Sequence, residues 1–295
     1  MSATEGHDHS HDHDHGHDHG HGHGDDFDWE SMADRLERDA TMVLPIVDAI
    51  VHDLQPALDW ATVRHLLDLG CGPGIVSCAL AQHAPAAQVT ALDSSVPLLS
   101  RVRHHAADAH LATRVHAVQA DMETALPAMR PMDVVWAGMV LHHVAHPGEV
   151  LAALRHALQP GGTLVMIEFA GPSRVLPAHD PLVPAWDHLE AASAQARNAR
   201  IGRDPTSVDW SSLLAAAGYV DIVDRVMVAR HPAPLGAAPR SWIEQHVRSG
   251  IEFVEGQLSA DDIAALHRLA DEAHGRDDLF VRVERRVLTA RTPGG

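Results

Sequence analysis

A nine-residue segment in the first third of the chain has the composition of a ligand-binding loop. Residues 66–74 read LLDLGCGPG, an apolar run that changes into a loop carrying Gly70, Gly72 and Gly74. Glycines allow a chain to turn sharply from a strand into a helix and allow its backbone to lie directly against a ligand. A helix that begins after the loop directs its first N–H groups toward that ligand. The segment therefore predicts a strand–loop–helix unit that binds a small molecule.

The spacing of the glycines distinguishes between two kinds of ligand. Dinucleotide-binding loops follow G-x-G-x-x-G, in which the third glycine allows close packing of helix and strand. Here Gly74 comes one residue earlier and Ile75 occupies the dinucleotide position, so the pattern from Asp68 onward is D-x-G-x-G-x-G. The early glycine argues against a nicotinamide-dependent Rossmann oxidoreductase, which stays open as an alternative function.

Carboxylates and histidines follow the later apolar runs. Asp93 ends the second run, where a carboxylate can accept hydrogen bonds from both hydroxyls of a ribose. His142 and His143 follow the fourth run, and imidazoles titrate near neutral pH, so both are candidates for a general base. Glu168, at the end of the fifth run, is a further candidate.

The composition excludes several classes of protein. All 22 residues counted as Lys or Arg are arginine, which excludes the standard forms of P-loop hydrolases, pyridoxal-phosphate enzymes and protein kinases. The net charge of −18 makes the chain a poor partner for polyanions, so nucleic acid is not an expected ligand. The N-terminal residues are polar and acidic, and no apolar run is long enough to span a bilayer. We expect a cytoplasmic protein and leave its oligomeric state open, with a homodimer as one option.

Short apolar runs alternate with helical periodicities between residues 61 and 170, the predicted cofactor-binding core. Strands are predicted over residues 63–69, 88–92, 115–119, 133–137 and 163–169, and helices over 75–83, 96–110 and 148–158. This alternation predicts an α/β fold with a parallel sheet and helices on both faces, which right-handed crossovers make doubly wound. Because the carboxyl ends of parallel strands meet at one edge, we expect the glycine loop, Asp93 and His142 to lie at that edge.

The parts outside this core are predicted to be mainly helical. Residues 27–60 form an N-terminal helical cap, which Pro45 divides into two helices. Residues 171–295 complete the sheet with strands at 219–229 and 280–290 and a helix at 210–217. They also carry helical insertions at about 171–207 and 239–274. We expect the cap and the insertions to form the lid that selects the substrate.

Over about residues 60–170, these motifs resemble those of the class I S-adenosylmethionine-dependent methyltransferases. The glycine loop, Asp93, the pair Asp121–Met122, the segment 137–144 and the turn at 158–162 occur in the family's order. The resemblance implies a Rossmann-like, seven-stranded, mostly parallel sheet with an antiparallel last strand and helical lid insertions. It implies that the loop lies against the methionyl and ribose parts of S-adenosylmethionine, and that Asp121 and Met122 contact the adenine. The implied cofactor-binding residues are Asp68, Gly70, Cys71, Gly72, Gly74, Asp93, Ser94, Asp121, Met122 and Ala137.

The activity that the resemblance implies is methyl transfer to a small-molecule acceptor. His142 and His143 are the catalytic candidates, and the alternative for both is a packing and hydrogen-bonding role. The fourth-strand segment lacks N-P-P-Y, which enzymes that methylate base amino groups or glutamine amides usually carry in this family. The arginines of the first insertion either clamp a carboxylate or phosphate or form a solvated helix face; they are Arg197, Arg200 and Arg203.

The N-terminal 26 residues form a separate, low-complexity segment, for which we expect disorder. Histidine occupies every odd position of part of this tail, interleaved mainly with Asp and Gly, and such a pattern suits Zn, Ni, Cu or Co. The candidate ligands are His7, His9, His11, His13, His15, His17, His19, His21 and His23. The alternatives are a solubilising tail, or a metal-sequestering protein built on a methyltransferase scaffold.

Overall fold

The computed structural model describes residues 29–124 and 126–294, so the predictions for the histidine-rich tail lie outside the described residues. The strands are β1 (His65–Leu69), β2 (Gln88–Asp93), β3 (Val115–Gln119), β4 (Met132–Gly138), β5 (Leu158–Phe169), β6 (Val220–His231) and β7 (Val281–Arg291). The helices are α1 (Trp29–Leu54), α2 (Ile75–His83), α3 (Val96–Asp108), α4 (Pro147–Ala157), α5 (Val183–Ile201), α6 (Trp210–Ala216), α7 (Ala237–Phe253) and α8 (Ala260–Glu272). Two short 3₁₀ turns cover Leu141–His143 and Pro205–Ser207.

The strands form one seven-stranded sheet in the order β3-β2-β1-β4-β5-β7-β6. The strands β1 to β5 pair in parallel, whereas β7 is antiparallel to both of its neighbours, β5 and β6. This arrangement confirms the predicted fold class, including the antiparallel last strand. The order reverses at β1, so the carboxyl ends of β1, β2 and β4 meet where an open α/β sheet forms its crevice.

Apolar side chains bury both faces of the sheet. Successive residues of a strand point to opposite faces, so Leu66 and Val134 belong to one core, and Leu67 and Val135 belong to the other. The first core is filled by the helices α1, α2, α3, α5, α7 and α8, and the second by α4 and α6. Burial on both sides explains why the strands read as nearly continuous apolar runs rather than as alternating ones.

The prediction that Pro45 divides the N-terminal cap is wrong, because α1 runs unbroken from Trp29 to Leu54 with the proline inside it. A proline within a helix costs about 3 kcal/mol, since it removes one hydrogen bond and crowds the preceding turn. Ile46, Val47 and Ile50 are at most 1 % exposed. Burying each such side chain contributes about 1.5–3 kcal/mol, which outweighs that cost.

The strand β5 is longer at its start than the sequence indicates. It begins at Leu158 rather than at Thr163, because Leu158 pairs with Met132 before a register shift that separates Met132 from Val134. Residues 158–162, which are predicted as the end of a helix and a turn, therefore belong to the sheet. The carboxyl end of β5 lies at the predicted position, Phe169.

Three helices that follow the cofactor-binding region 61–170, namely α5, α7 and α8, pack together with α1 on one face of the sheet. The indole Nε1 of Trp242 in α7 donates to Asp39 Oδ1 in α1 at 2.8 Å. In the same layer α5 packs against both α7 and α8. We call α1, α5, α7 and α8 the helical layer. No helix of the described ranges is long and apolar enough to cross a membrane.

Candidate active site

All three glycines of the loop after β1 have left-handed backbone conformations, and Gly70 and Gly72 have them for different reasons. The φ angles of Gly70 and Gly72 are +63° and +53°, a region that other residues adopt at a cost. A Cβ on Gly70 would lie 2.3 Å from Val140 Cγ2, so this glycine lets the loop after β4 pack against the glycine loop. A Cβ on Gly72 would meet no atom within 4 Å. Gly72 therefore presents bare backbone to open space, as a loop that lies against a ligand must.

Asp93 at the end of β2 holds this loop from the side. Its Oδ2 accepts a hydrogen bond from the Gly72 N–H, and its Oδ1 accepts one from the Ser95 N–H, both at 2.9 Å. Burial raises the pKa of Asp93, whereas these backbone hydrogen bonds act in the opposite direction. Each carboxylate oxygen has about two acceptor sites, so both oxygens keep capacity for a further donor such as a ribose hydroxyl. Ser94, between the two bonded positions, is exposed.

Asp68 and Cys71 lie behind the loop. Asp68 is only 2 % exposed, and its Oδ2 accepts a hydrogen bond of 2.5 Å from the Ser77 hydroxyl of α2. The pKa of Asp68 is raised to about 7, and burial is the main cause. The Ser77 hydrogen bond acts in the opposite direction, and the charge of Asp93 adds to the rise. Burial also raises the pKa of the Cys71 thiol, which keeps it from acting as a thiolate. These two residues therefore shape the loop from within the protein.

The remaining predicted cofactor residues lie at the start of α2, just after β3 and near the end of β4. Gly74, with φ +86°, packs against Val102 of α3 at the start of α2. Asp121 is exposed after β3 and accepts from the Glu123 N–H, while Met122 is half-buried against the second core. Ala137 is fully buried in β4. S-adenosylmethionine suits this edge, because the open face of Gly72 and the spare acceptors of Asp93 match its backbone-contacting and hydroxyl-bearing parts.

The turn after β4 holds a buried histidine–carboxylate pair. Glu168 is fully buried, and its Oε2 lies 2.6 Å from His142 Nδ1 while its Oε1 accepts from the Leu141 N–H at 3.0 Å. His142 is 3 % exposed. If Nδ1 carries the proton of this hydrogen bond, Nε2 is the nitrogen with the free lone pair. His143 is exposed beside it, with the two ring centroids 4.1 Å apart. The structure thus pairs His142 with Glu168 and leaves His143 outside the pair.

Two further residues of this turn were not singled out from the sequence. Met139 adopts φ +57°, which costs a residue with a side chain roughly 1–2 kcal/mol. Such strain clusters at functional loops. Val140 follows it and contacts Gly70. No sequence pattern signals a left-handed methionine here, where the Met139 N–H donates to the Ile167 carbonyl oxygen of β5 at 2.7 Å.

The three arginines of the first insertion do not form one clamp. Arg200 stacks its guanidinium on Phe253, with the Cζ atom 4.2 Å from the ring centroid. Arg203 donates to the carbonyl oxygens of His142 and Val144, and so fixes the turn that carries His142. Arg197 stacks on Phe169 at the end of β5. Of the three, Arg197 lies on the ring of Phe169, which also packs against His142.

Comparison with known proteins agrees with this geometry. A family described as "Methyltransferase domain" matches residues 66–162. An uncharacterised methyltransferase of Mycobacterium tuberculosis is 34% identical over 108 residues, which are 37% of this chain and 52% of the relative. The match thus spans about half the length of that curated relative. The trans-aconitate 2-methyltransferase of Acidovorax ebreus is 29% identical over 221 residues, 74% of this chain and 78% of that protein.

A solved structure shares the fold at low sequence identity. It is phosphoethanolamine N-methyltransferase 2 of Haemonchus contortus in complex with phosphomonomethylethanolamine and S-adenosylhomocysteine. The TM-score is 0.50 with 15% identity, over 81% of this chain and 51% of that one. Together with the sheet order and the loop geometry, the family match identifies residues 66–162 as a methyltransferase domain of the class I S-adenosylmethionine-dependent type.

Proposed function

We propose that the protein transfers a methyl group from S-adenosylmethionine to a small-molecule acceptor. The observation that carries this proposal is the bare backbone at Gly72, held by the Asp93 carboxylate at the crevice of the sheet. When bound, S-adenosylmethionine supplies an electrophilic methyl group on a positively charged sulfur. The protein contributes binding, approach geometry and exclusion of water.

In this proposal His142 accepts the proton that an acceptor hydroxyl or amine loses. Its Nδ1 is held by Glu168, so the ring has a fixed orientation and the carboxylate stabilises the imidazolium that forms. Arg203 holds the carbonyl oxygen of His142 at 3.1 Å and thereby fixes the backbone of the turn. The support for this role is the burial of the pair at the carboxyl end of β4 and β5, beside the crevice.

A small acceptor is favoured by charge and by one relative. The chain carries a net charge of −18, which opposes binding of a nucleic acid. The relative that aligns over 78% of its own length is named for trans-aconitate, a small molecule. The helical layer, with Trp186 and Trp242 buried in it, covers the sheet beside the crevice and would limit the size of the acceptor.

The direct test is a transfer assay with methyl-labelled S-adenosylmethionine and a panel of small hydroxyl, amine and acid acceptors. The expected result is label in at least one acceptor product, with one S-adenosylhomocysteine formed per methyl transferred. The Asp93→Ala variant should lose transfer at cofactor concentrations that saturate the wild type. A folded protein that binds the cofactor but labels no acceptor of any class would argue for a binding role instead.

We further propose that the N-terminal histidine tail binds a divalent transition metal and is separate from catalysis. The support is the alternation of histidine over residues 7–23. Within residues 29–124 and 126–294, the structure shows no group of three or more His, Cys, Asp or Glu side chains that could hold a metal. Zinc titration of the full chain should saturate, and replacing the nine tail histidines by asparagine should abolish binding without changing methyl transfer. Equal zinc binding by the replaced chain would refute the proposal.

A further inference from the structure

One aromatic ring at the end of β5 gathers two cations and the proposed base. The Cζ atom of Arg197 lies 4.0 Å from the centroid of Phe169, and that of Arg285 lies 5.8 Å from the same centroid. The ring of His142 packs against Phe169 with the centroids 4.8 Å apart. Arg197 comes from α5, whereas Arg285 comes from β7 and pairs directly with Phe169 in the sheet register. We call Phe169, Arg197 and Arg285 the arginine cluster.

The two arginines of this cluster lack the ion pairs that eight other arginines form, although Arg285 donates from Nη1 to the Glu284 carbonyl oxygen at 2.8 Å. Eight arginines form ion pairs with Asp or Glu: Arg101, Arg174, Arg225, Arg240, Arg248, Arg276, Arg282 and Arg286. Among the residues that the structure describes, Arg197 and Arg285 have no carboxylate oxygen within 4.0 Å. The Nε–H group of each is buried without a hydrogen-bond partner. A buried donor or charge without a partner is costly, which makes an added acceptor favourable.

The acids whose charges act on the two arginines are already engaged: Asp39 accepts from Trp242 Nε1, and Asp204 accepts from the Thr206 N–H. Glu190 accepts from Ser173 N–H at 2.8 Å and lies 2.7 Å from His246 Nε2, and Glu168 is held by His142. Burial lowers the pKa of both Arg197 and Arg285, so their charged forms lack full compensation from the protein. Arg197, Arg285 and Phe169 are half-buried, so each keeps part of its surface exposed. The cluster is thus a partly desolvated cationic surface in a chain of strongly negative net charge.

We propose that Arg197 and Arg285 bind an anionic oxygen group, a carboxylate or a phosphate, on the methyl acceptor and hold it over Phe169. This inference deepens the proposed function and rests on it. A guanidinium stacked flat on a ring keeps its N–H edges available for paired hydrogen bonds to two oxygens. The bound anion would place the rest of the acceptor beside His142, because Phe169 contacts both the histidine and the arginines. Because Arg197 is on the helical layer and Arg285 on the sheet, the anion bridges the two.

The test is calorimetric titration of the full chain saturated with S-adenosylhomocysteine, with malonate in one arm and inorganic phosphate in the other. Sodium chloride at matched ionic strength corrects for screening. We expect at least one of the two anions to bind saturably at millimolar concentration, and the stronger arm separates a carboxylate from a phosphate. Arg197→Gln and Arg285→Gln should each weaken that binding about tenfold or more, the effect expected when one charged partner of a bidentate contact is removed.

Arg200→Gln is the matched control, because Arg200 also lies on α5 and also stacks on a phenylalanine, but on Phe253. This variant should bind the anion with an affinity within about twofold of the wild type. Because a tenfold change in affinity corresponds to roughly 1.4 kcal/mol, this is a change of less than about 0.5 kcal/mol. Unchanged binding in Arg197→Gln, an equal loss in Arg200→Gln, or no binding of either anion by the wild type would overturn the proposal. Circular dichroism verifies folding, and if Arg285→Gln unfolds then Arg197→Gln and Arg197→Lys decide the outcome. A chain that fails to bind S-adenosylhomocysteine would refute the proposed function itself, whereas normal cofactor binding without anion binding refutes only this inference.

Discussion

At the scale of single residues, Gly70 and Gly72, two of the three left-handed glycines of the loop, separate folding from binding. Gly70→Ala places a Cβ 2.3 Å from Val140 Cγ2, so we expect a loss of roughly 3 kcal/mol in the free energy of unfolding. Gly72→Ala should lower the free energy of unfolding by only roughly 1–2 kcal/mol, the cost of the left-handed backbone conformation. No atom lies within 4 Å of the new methyl group. The new methyl should instead occupy the space of the cofactor. Urea unfolding and cofactor titration of both variants check this, and intact cofactor affinity in a folded Gly72→Ala protein would contradict the site.

The buried carboxyl of Asp68 should make stability depend on pH with an unusual sign. Its pKa is about 7 in the folded protein, against 3.8 for an ordinary aspartate, so the folded protein holds the proton more tightly than the unfolded chain. Stability from this group is present below pH 3.8 and is lost as the pH rises toward 7. Relative to Asp68→Asn, the wild type should lose roughly 2–4 kcal/mol across this window. Ser77→Ala removes a hydrogen bond that lowers the pKa, so it should move the upper end of the window to higher pH.

The pair His142 and His143 provides a matched test of the proposed base. His142→Gln should lower kcat about 100-fold with cofactor affinity unchanged, because a general base contributes on that scale. His143→Gln, at the exposed neighbour, should keep the rate. A fall in kcat in His143→Gln but not in His142→Gln would reverse the assignment.

At the scale of elements, one buried arginine ties α7 to the segment after α8. Arg240 is 8 % exposed and donates to the carbonyl oxygens of Leu235, Ala273, His274 and Arg276, and it pairs with Asp277 at 2.8 Å. Arg240→Met leaves these acceptors without a partner, so we expect a loss of about 3–5 kcal/mol. Hydrogen exchange should accelerate in residues 237–277. The exposed Arg268→Met serves as the control and should change stability by at most about 0.5 kcal/mol.

The sequence predicted elements well where the signal is local. The strands β1 to β3 and the helix α2 have the predicted positions within two residues, because a buried parallel strand is a continuous apolar run and the glycine loop marks the start of α2. The continuous helix through Pro45 and the early start of β5 were not predicted, since each depends on packing or pairing with distant residues. Arg285 was not predicted for the same reason, because its place beside Phe169 follows from β7 entering the sheet between β5 and β6.

At the scale of the whole molecule, the sheet order brings the functional parts of the chain to one edge. The glycine loop and Asp93 come from β1 and β2, His142 follows β4, and Arg285 lies on β7, the last strand. The cofactor side and the proposed acceptor side therefore lie on adjacent strand ends, with the helical layer packed beside them. The matched range 66–162 contains the glycine loop, Asp93 and His142, whereas the arginine cluster of the proposed acceptor site lies outside it.

The central claim is that the Gly72–Asp93 crevice binds S-adenosylmethionine. Calorimetric titration of the full chain with S-adenosylmethionine, and separately with NADH, tests it most directly. We predict saturable micromolar binding of S-adenosylmethionine, no binding of NADH, and at least about tenfold weaker S-adenosylmethionine binding by a folded Asp93→Asn variant. Binding of NADH instead, or a wild-type chain that is folded and binds no S-adenosylmethionine, would contradict the account.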